Sequence, residues 1–441
     1  MDKIVSLCKR RGFVFPGSEI YGGLANSWDF GHLGNELFNN IGTLWWKKFV
    51  QERDDMVGMR GAIIMNPKVW EASGHLQSFT DPLVECKICH ERFRSDQEEE
   101  VKDHEQTHKE KTNIWTEPKN FNLMFKTFIG TTEDTQAAAY LRPELAQGMF
   151  VDFKTILETS RKKLPFGIAH IGKAFRNEIT TGNFIFRTKE FTIAELEYFV
   201  KPGNEDKSFA EWADFMESFL TDEIGLKKEN LRRYEHPKES LAHYSKGTTD
   251  FEYKFPWGWG ELMGLASRTD FDLQNHEQAS GQNLKYKDGE TGEEFWPYVV
   301  EPTVGLERLM LACLIEAYTE TEARSGEEEA VHEKEVTLKL PKSLAPVKVA
   351  ILPLSKKEEL SNPAQEIYAK LRKDFMCQYD ETASIGKRYR RQDEIGTPYC
   401  ITFDFDSIND QKVTVRDRDT MEQERIAISE LAVYLKDKLE K

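Results

Sequence analysis

One segment, residues 171–200, constrains the fold of this 441-residue chain more than any other. It reads IGKAFRNEITTGNFIFRTKEFTIAELEYFV, with two apolar, strand-like stretches around a polar turn at 180–183. The first stretch ends at 175–178 and the second begins near Phe184, which predicts an antiparallel strand pair. The pair carries many charges of both signs, namely Arg176, Glu178, Arg187, Lys189, Glu190, Glu195 and Glu197.

Two interpretations fit these charges. Cross-strand ion pairs on a solvated sheet face are the ordinary explanation for a charged hairpin. A nucleotide site is the alternative, because arginines bind phosphates, an aromatic ring stacks on a base and acids bind an amine. The other segments of the chain decide between the two.

Composition predicts a folded protein with two or three domains. A hydrophobic fraction of 39% is ample for a large core, and the net charge of −16 argues against a broad cationic surface. The six cysteines are scattered, so a disulfide framework is not expected and a reducing compartment fits. Since the chain has no run of eighteen apolar residues and no signal-peptide core, we expect a cytoplasmic protein without a membrane segment.

Residues 85–111 differ from their surroundings in composition. Cys86 and Cys89 are separated by two residues, and His104 and His108 by three. A turn with the thiolates and a helix with the histidines would surround Zn²⁺ tetrahedrally, whereas the alternative is two free cysteines and two surface histidines. The segment resembles a two-cysteine, two-histidine zinc finger. Its helix is too acidic for a DNA groove, so we expect a structural zinc insertion and no binding to DNA.

The C-terminal part of the chain has a different pattern. After Pro346, strands alternate with helices, which predicts a small α/β domain with a mixed sheet. Its dense basic cluster, GKRYRRQDEIG at 386–396, predicts either an RNA-contacting strip or a solvated surface. Just before this domain, the acidic run at 319–335 predicts a solvated linker or mobile loop. Residues 299–320 predict a strand that breaks at Pro302 and Gly305 into a helix.

Three separated segments share one chemistry: LRPELAQG at 141–148, the hairpin with FRNE and FRTKEFTIAE, and VEPTVGLER at 300–308. In this order they resemble the class II aminoacyl-tRNA synthetases and, more closely, the family of dimeric glycyl-tRNA synthetases. The resemblance runs nearly end to end, through CKRRGFVFPGSEIYGGL, WWKKFVQERDDMVGM, ESLAHYSKGTTDF, SRTDFDL and VTVRDRDTMEQ.

The resemblance implies the architecture of the chain. Residues 1–84 and 112–335 would form an α+β catalytic domain, with a class II synthetase-like antiparallel sheet flanked by helices. Residues 85–111 would be a small zinc-binding insertion in it. Residues 346–441 would form the α/β anticodon-binding domain. A homodimer, joined around residues 62–67, is also implied.

The implied activity is a glycine–tRNA ligase that uses ATP to make glycyl-adenylate and then passes glycine to the 3′ end of tRNA. Attack of a carboxylate on the α-phosphate of ATP requires arginines and Mg²⁺ to screen charge and align the groups, not a covalent nucleophile. By similarity, the catalytic residues are Arg176, Glu178 and Arg308. Phe191 would stack on adenine. The implied ATP contacts are Arg176, Asn177, Glu178, Phe186, Arg187, Phe191, Glu261, Leu262, Gly305 and Arg308.

Glycine offers an enzyme only an ammonium group, a carboxylate and two α-hydrogens, so an acidic cage that excludes a β-carbon is the economical binding site. By resemblance, the glycine contacts are Arg94, Glu144, Glu195, Arg268, Glu301 and Thr303. Leu145 stands where the family usually has threonine, which leaves the polar lining beside Glu144 open. Thr303 stands where serine is usual, and its extra methyl group narrows the pocket.

Three competing functions remain. A sister class II synthetase for another small amino acid would share the ATP residues but would need side-chain room where Glu195 and Thr303 crowd the site. A non-catalytic RNA-binding paralogue would tend to lose the nucleotide arginines. A zinc-finger regulator is disfavoured by the acidity of the finger.

Overall fold

The computed structural model describes residues 1–108, 111, 113–131, 137–179, 182–241, 245–322 and 334–440. Two predicted features fall partly outside the described residues, namely the turn at 180–181 and the acidic run at 323–333. Within these ranges, no helix has both the length and the apolar character that crossing a bilayer requires.

The elements before residue 180 are, in chain order, α1 (Asp2–Arg11), β1 (Val14–Pro16), β2 (Trp28–Phe30), α2 (His32–Trp46), β3 (Met56–Gly58), α3 (Pro67–Ala72), α4 (His75–Ser78), β4 (Thr80–Glu85), β5 (Arg92–Arg94), α5 (Glu98–Thr107), β6 (Lys119–Asn122), β7 (Lys126–Phe128), β8 (Ala138–Tyr140), α6 (Ala146–Val151), α7 (Phe153–Ser160) and β9 (Phe166–Phe175). The next elements are β10 (Glu190–Val200), α8 (Glu205–Ser218), β11 (Leu231–Glu235), β12 (Gly247–Phe255), β13 (Gly258–Thr269), α9 (Phe271–Ser280), β14 (Tyr286–Lys287), β15 (Glu294–Phe295), β16 (Tyr298–Gly305), α10 (Leu306–Ala317), β17 (Tyr318–Glu322) and β18 (Lys334–Leu338). The C-terminal elements are β19 (Val349–Pro353), α11 (Glu358–Leu371), β20 (Cys377–Tyr379), α12 (Ile385–Ile395), β21 (Tyr399–Phe403), α13 (Phe405–Asp410), β22 (Lys412–Asp417), β23 (Gln423–Ala427) and α14 (Leu431–Glu440).

A seven-stranded sheet organises the first 320 residues, in the order β11-β12-β13-β16-β10-β9-β3. Its neighbours are antiparallel except β3, which runs parallel to β9 at the edge. Because side chains alternate between the faces of a strand, Leu196 and Val200 of β10 pack in one core with α2, α8 and α10. Ile193 and Phe199 pack in a second core with α6, α7 and α9. The predicted antiparallel sheet flanked by helices is confirmed.

The hairpin differs from its prediction in two ways. The second strand begins at Glu190 instead of near Phe184, because residues 184–186 form a 3₁₀ turn inside a long loop. Phe184 is buried in the first core from this loop, which explains its strand-like apolar signal. The solvated-face interpretation is wrong for Glu195 and Glu197, which are 3% and 0% exposed, because β10 lies between β9 and β16 with helices on both faces. Glu190, at the start of β10, is exposed and pairs with Lys173 of β9 at 3.3 Å.

The prediction that the strand breaks at Pro302 is wrong. Strand β16 continues through it to Gly305, where α10 begins with Arg308 in its first turn. Pro302 pairs in register with Leu265 of β13, whereas the pairs between β10 and β16 are interrupted opposite residues 196 and 197. Proline removes one donor from the ladder, and the effect here is a gap on one side, not the end of the strand.

The acidic run also departs from a purely solvated linker. Its described ends form an antiparallel pair, β17 with β18, in which Tyr318 is opposite Leu338. This pair continues directly from α10.

The C-terminal unit contains a mixed sheet, as predicted. The sheet has five strands in the order β20-β19-β21-β22-β23. Strand β19 runs parallel to β20 and β21, and the other neighbours are antiparallel. The basic cluster lies on α12, and the prediction of a solvated or RNA-contacting strip is wrong for Arg388, which is buried. Lys387 is exposed and Arg390 and Arg391 are half-buried, so for these residues the strip stays a prediction. Arg388 is 2% exposed and donates to the carbonyls of Pro353 and Leu354. Arg390 pairs with Glu335, and Arg391 pairs with Asp380.

Candidate active site

A cavity of about 390 Å³ opens over β10, β13 and β16 and the loop between β9 and β10. Fourteen of the sixteen residues predicted to contact ATP or glycine line it, and they are Glu144, Arg176, Glu178, Phe186, Arg187, Phe191, Glu195, Glu261, Leu262, Arg268, Glu301, Thr303, Gly305 and Arg308. The other two, Asn177 and Arg94, are not in its lining.

Strand register places the polar floor of this cavity. Thr303 of β16 lies between Glu195 of β10 and Gly264 of β13, opposite each in register. A β-carbon added at Gly264 would come within 3.2 Å of the methyl carbon of Thr303. The strands therefore approach closely at this point, and the side chain at 303 closes the space above Gly264.

One end of the cavity is rich in arginine and aromatic rings. The guanidinium carbon of Arg176 lies 5.4 Å from the ring centroids of both Phe79 and Phe191, and its Nε donates to the Pro143 carbonyl at 3.1 Å. The contacts hold Arg176 in one orientation at the cavity wall. A guanidinium held between two rings presents its remaining N–H groups to an anion.

A second arginine–aromatic pair lies on the helix side of the same end. The guanidinium of Arg308 sits 4.6 Å from the centroid of the Phe186 ring, and its Nη1 donates to Oε2 of Glu261 at 2.8 Å. The positive charge of Arg308 is the main cause that lowers the pKa of Glu261, with Arg176 and Arg187 adding to it. Glu261 is therefore a carboxylate among arginines.

A second part of the cavity, called the acidic end below, is lined by Glu144, Glu195, Glu301 and Arg268. Arg268 donates to Glu301 Oε2 at 3.0 Å and to Asp272 at 2.9 Å, and all three groups are buried. Burial raises the pKa of Glu195, and the charges of Glu301 and Glu144 raise it further. The charge of Arg142 also acts on Glu195. The four carboxyl groups Glu144, Glu195, Glu301 and Asp272 still outnumber these two arginines, which is an arrangement that attracts a small cation.

The pKa of Glu144 is shifted in the opposite direction from that of Glu195. Its Oε2 lies 3.3 Å from Nε2 of His75, and its Oε1 accepts from Gln147 at 2.9 Å. Burial alone would raise the pKa of Glu144, but His75 and Arg268 outweigh burial and hold it well below its ordinary value. Glu144 is therefore held in its ionised form more strongly than the other carboxyl groups of the acidic end.

Leu145, which stands where the family usually has threonine, contacts the site through its backbone. Its side chain is 1% exposed in the second core, while its N–H donates to Oε2 of Glu195 at 2.7 Å. A main-chain group therefore supplies the polar contact to Glu195 at this position, while the side chain of Leu145 packs in the core.

Arg94 and Asn177 do not line the cavity. Arg94 pairs with Asp81 at 3.1 Å and Asp96 at 2.7 Å. The charge of Glu178, which lines the cavity, also acts on Arg94, so the guanidinium lies behind the cavity wall and its predicted contact with glycine stays a prediction. Asn177 uses its backbone N–H to bond the Leu123 carbonyl at 2.8 Å, which fixes the loop after β9.

Several residues of the acidic end were missed by sequence reasoning. Gln147 donates to Glu144 and Asp272 and bonds His276, so it links three groups behind the cavity. Gln147 and Asp272 lie inside the motif segments LRPELAQG and SRTDFDL, so a signal for them was present. His75 lies outside these motif segments, so no signal in the sequence pointed to it. A further pair, His236 with Asp250 at 2.8 Å, lines the cavity wall.

The four predicted metal ligands come together. One ligand atom from each of Cys86, Cys89, His104 and His108 lies within 4.8 Å of the others, and Sγ of Cys89 is 3.4 Å from Nε2 of His104. The Phe93 ring packs on His104 with centroids 4.6 Å apart. Two thiolates and two imidazoles at this spacing fit a tetrahedral Zn²⁺.

Two family models match the chain. The model "Anticodon binding domain" matches residues 348–438, and the model "tRNA synthetase class II core domain (G, H, P, S and T)" matches residues 127–318. A solved structure, that of prolyl-tRNA synthetase from Cryptosporidium parvum complexed with halofuginone and AMPPNP, is similar with a TM-score of 0.65. It is 16% identical and the match covers 100% of this chain and 77% of that chain, which shows the fold alone.

Curated relatives match over nearly their full length. The glycine–tRNA ligase of Caldanaerobacter subterraneus subsp. tengcongensis is 55% identical over 463 residues, covering 100% of this chain and 98% of the relative. The glycine–tRNA ligase of Geobacillus kaustophilus is 53% identical over 463 residues, covering 100% and 99%. Because such identity extends from one end of the chain to the other, the protein belongs to the glycine–tRNA ligase family, with a class II synthetase core followed by an anticodon-binding domain.

Proposed function

We propose that this chain activates glycine with ATP and then transfers the glycyl group to the 3′ end of its tRNA. The observation that carries the proposal is the division of one cavity into an arginine and aromatic end and an acidic end. ATP would occupy the first end and glycine the second, so that the glycine carboxylate meets the α-phosphate between them.

The arginine end supports the first chemical step. An oxygen of the glycine carboxylate would attack the α-phosphorus, the bond to the bridging oxygen would break, and pyrophosphate would leave. Arg176 would neutralise charge on the α-phosphate and the carboxylate, while Arg308 would lie over the adenine toward the γ-phosphate. The proposed catalytic residues are these two and Glu178. Phe191 would stack on the adenine ring.

Mg²⁺ would supply further charge neutralisation on the phosphates when bound. Glu178 and Glu261, which both line this end, offer the carboxylate oxygens that Mg²⁺ prefers.

The acidic end supports recognition of glycine. Glu144, Glu195 and Glu301 would hold the ammonium group, with Arg268 fixing Glu301 from behind. Thr303 lies opposite Glu195 in the strand register and lines the cavity. Its methyl group would therefore limit the space for a β-carbon of the substrate, which favours glycine over alanine or serine. The same crowding disfavours the sister-synthetase alternative. Retention of all three catalytic residues in one cavity disfavours a non-catalytic RNA-binding paralogue.

The finer organisation of the protein is also proposed. The catalytic domain would comprise residues 1–84 and 112–335, the zinc insertion residues 85–111, and the tRNA-binding C-terminal domain residues 346–441. The cytoplasm would be its compartment. A homodimer through residues 62–67 is supported by the exposed Ile63 and Ile64 next to the edge strand β3, because exposed apolar groups beside an open sheet edge favour association.

Amino-acid-dependent exchange of pyrophosphate into ATP tests the proposal, with glycine, alanine and serine compared. We expect exchange with glycine alone and its loss in Arg176→Ala. The matched control is Arg232→Ala, because Arg232 also stacks on an aromatic ring, at 4.5 Å from Trp259, but does not line the cavity. Exchange with alanine or serine would favour the sister synthetase, and absence of exchange with glycine would overturn the proposal.

A further inference from the structure

Glu197 is a buried carboxyl group that none of these roles uses. Its side chain is fully buried, and among the described residues neither of its oxygens has a hydrogen-bond partner. It does not line the cavity. Burying a carboxyl group without a partner is costly, so its retention at this place requires an explanation.

Strand register places Glu197 opposite Glu301. Glu195 pairs with Thr303 and Tyr198 pairs with Val300, and counting inward from both pairs aligns residue 197 with residue 301. The interruption of the ladder beside Pro302 does not shift this alignment, because the register is the same on its two sides. Opposite side chains on one face of an antiparallel pair touch. One carboxyl oxygen from each of Glu195, Glu197 and Glu301 lies within 4.8 Å of the others.

Ionising all three carboxyl groups at this spacing is unfavourable, because each is buried and like charges repel. The charged groups around Glu197 are Glu195 on its own strand, Glu301 on β16, Arg268 on β13 and Asp272 on α9. Arg268 is the one cation of this set, and it also bonds Asp272 and Glu301. On the other neighbouring strand, β9, the buried His170 lies opposite Glu195, and the charge of Arg142 acts on Glu195. Burial, and then the charge of Glu301, raise the pKa of Glu197 well above its ordinary value.

Position relative to the cavity determines which of the three carboxyl groups keeps a proton. Glu195 and Glu301 line the cavity and Glu197 does not. An ammonium ion in the cavity therefore favours ionisation of the two front groups and leaves the proton on the group behind them. A neutral carboxylic acid is a hydrogen-bond donor, so it turns repulsion among the three groups into attraction.

We propose that Glu197 is a positioning residue for glycine recognition, which donates a retained proton to the Glu195–Glu301 pair and so fixes both carboxylates toward the ammonium group. This role rests on the proposed function of the cavity and adds to it a residue that does not touch the substrate.

Two substitutions separate the donor from the shape of the side chain. Glu197→Gln keeps an N–H donor of the same size and cannot ionise, whereas Glu197→Leu keeps the bulk and removes the donor. The full-length wild type and both variants are assayed by glycine-dependent pyrophosphate exchange. We expect the KM for glycine to stay within about threefold of wild type in Glu197→Gln and to rise by about tenfold or more in Glu197→Leu, as loss of one charge-assisted hydrogen bond predicts. The KM for ATP should not change in either.

Protonation gives a readout that a merely structural role would not move. The wild type should show the infrared carbonyl band of a buried carboxylic acid, and this band should be missing from Glu197→Gln. At alkaline pH the glycine KM of the wild type should rise as Glu197 ionises, and that of Glu197→Gln should rise less.

The outcomes distinguish this role from the proposed function. A wild type without glycine-dependent exchange overturns both. Normal exchange with an unchanged glycine KM in a folded Glu197→Leu variant overturns only the positioning role, as does the absence of the infrared band. If Glu197→Leu does not fold, as judged by circular dichroism, the infrared and pH comparison of wild type with Glu197→Gln carries the test alone.

Discussion

The backbone N–H of Leu145 donates a 2.7 Å hydrogen bond to Oε2 of Glu195. The side chain of Leu145 points away from this contact, into the core beside Phe150 and Phe199. The contact with Glu195 uses the backbone N–H of residue 145, which every residue except proline has. The side chain of Leu145 contributes to the stability of the core.

Leu145→Thr should lower stability without weakening glycine recognition. The change removes apolar contacts and buries a hydroxyl, so we expect the free energy of unfolding to fall by about 1–3 kcal/mol, with the KM for glycine unchanged. Urea denaturation and pyrophosphate exchange measure the two quantities. Leu157→Thr is the matched control, since Leu157 lies in the same core but not in the cavity lining. A raised glycine KM at unchanged stability would contradict the prediction.

Glu144→Gln should change how stability depends on pH. His75 and Arg268 outweigh burial and depress the pKa of Glu144, so the folded protein holds this group ionised more readily than the unfolded chain does. The stabilisation is then complete above the ordinary pKa of 4.5 and is lost as the pH falls below it. Glu144→Gln should cost more stability at neutral pH than in acid. Denaturant titrations of wild type, Glu144→Gln and the exposed control Glu158→Gln measure this. A difference that persists undiminished in acid would refute it.

Elements whose signals are local could be predicted from sequence. The helix that begins at Leu306 after Gly305, with Arg308 in its first turn, is encoded by neighbouring residues. The short spacings within the pair Cys86 and Cys89 and within the pair His104 and His108 are also local signals. The ligand atoms of the four residues lie close together in the structure.

Burial of charge could not be predicted, because it depends on strands far apart in sequence. Glu195 and Glu197 read as solvated until β16 is placed beside β10 and helices cover both faces. Arg388 reads as a surface base until the carbonyls at the end of β19 are placed around it. Likewise, His75 meets Glu144 only through the tertiary fold.

Arg308→Lys should raise the KM for ATP by about tenfold or more while leaving the KM for glycine near wild type. A lysine ammonium cannot both stack on Phe186 and present a planar fork to phosphate, as the guanidinium does. Exchange kinetics with varied ATP measure the effect. Arg232→Lys controls for loss of an arginine–aromatic contact outside the cavity. Equal effects of the two substitutions would show that the Arg308 contact acts on stability and not on the nucleotide.

Cys89→Ser should release one metal ion per chain. The four clustered ligands predict about one bound zinc per chain in the purified protein, measurable by native mass spectrometry. Because metal binding stabilises the folded form of such a small element, Cys89→Ser should also become sensitive to proteolysis within residues 85–108. Cys8→Ser, at a buried cysteine outside the cluster, is the control. Zinc retained at full occupancy in Cys89→Ser would argue against this site.

Arg388→Ala and Lys387→Ala distinguish a structural arginine from an RNA-contacting surface on α12. Arg388 donates to the carbonyls of Pro353, Asp380 and Leu354, so its loss removes three hydrogen bonds, of which the one to Pro353 is buried. We expect the free energy of unfolding of the C-terminal unit to fall by about 2–4 kcal/mol, while glycine-dependent exchange in the other unit continues. Lys387 is exposed, and Lys387→Ala should leave stability unchanged. Denaturant unfolding and tRNA binding are measured for both variants. If Lys387→Ala weakens tRNA binding at unchanged stability, the exposed side of α12 contacts RNA after all. If Arg388→Ala leaves stability intact, the carbonyl contacts of Arg388 do not hold the unit together.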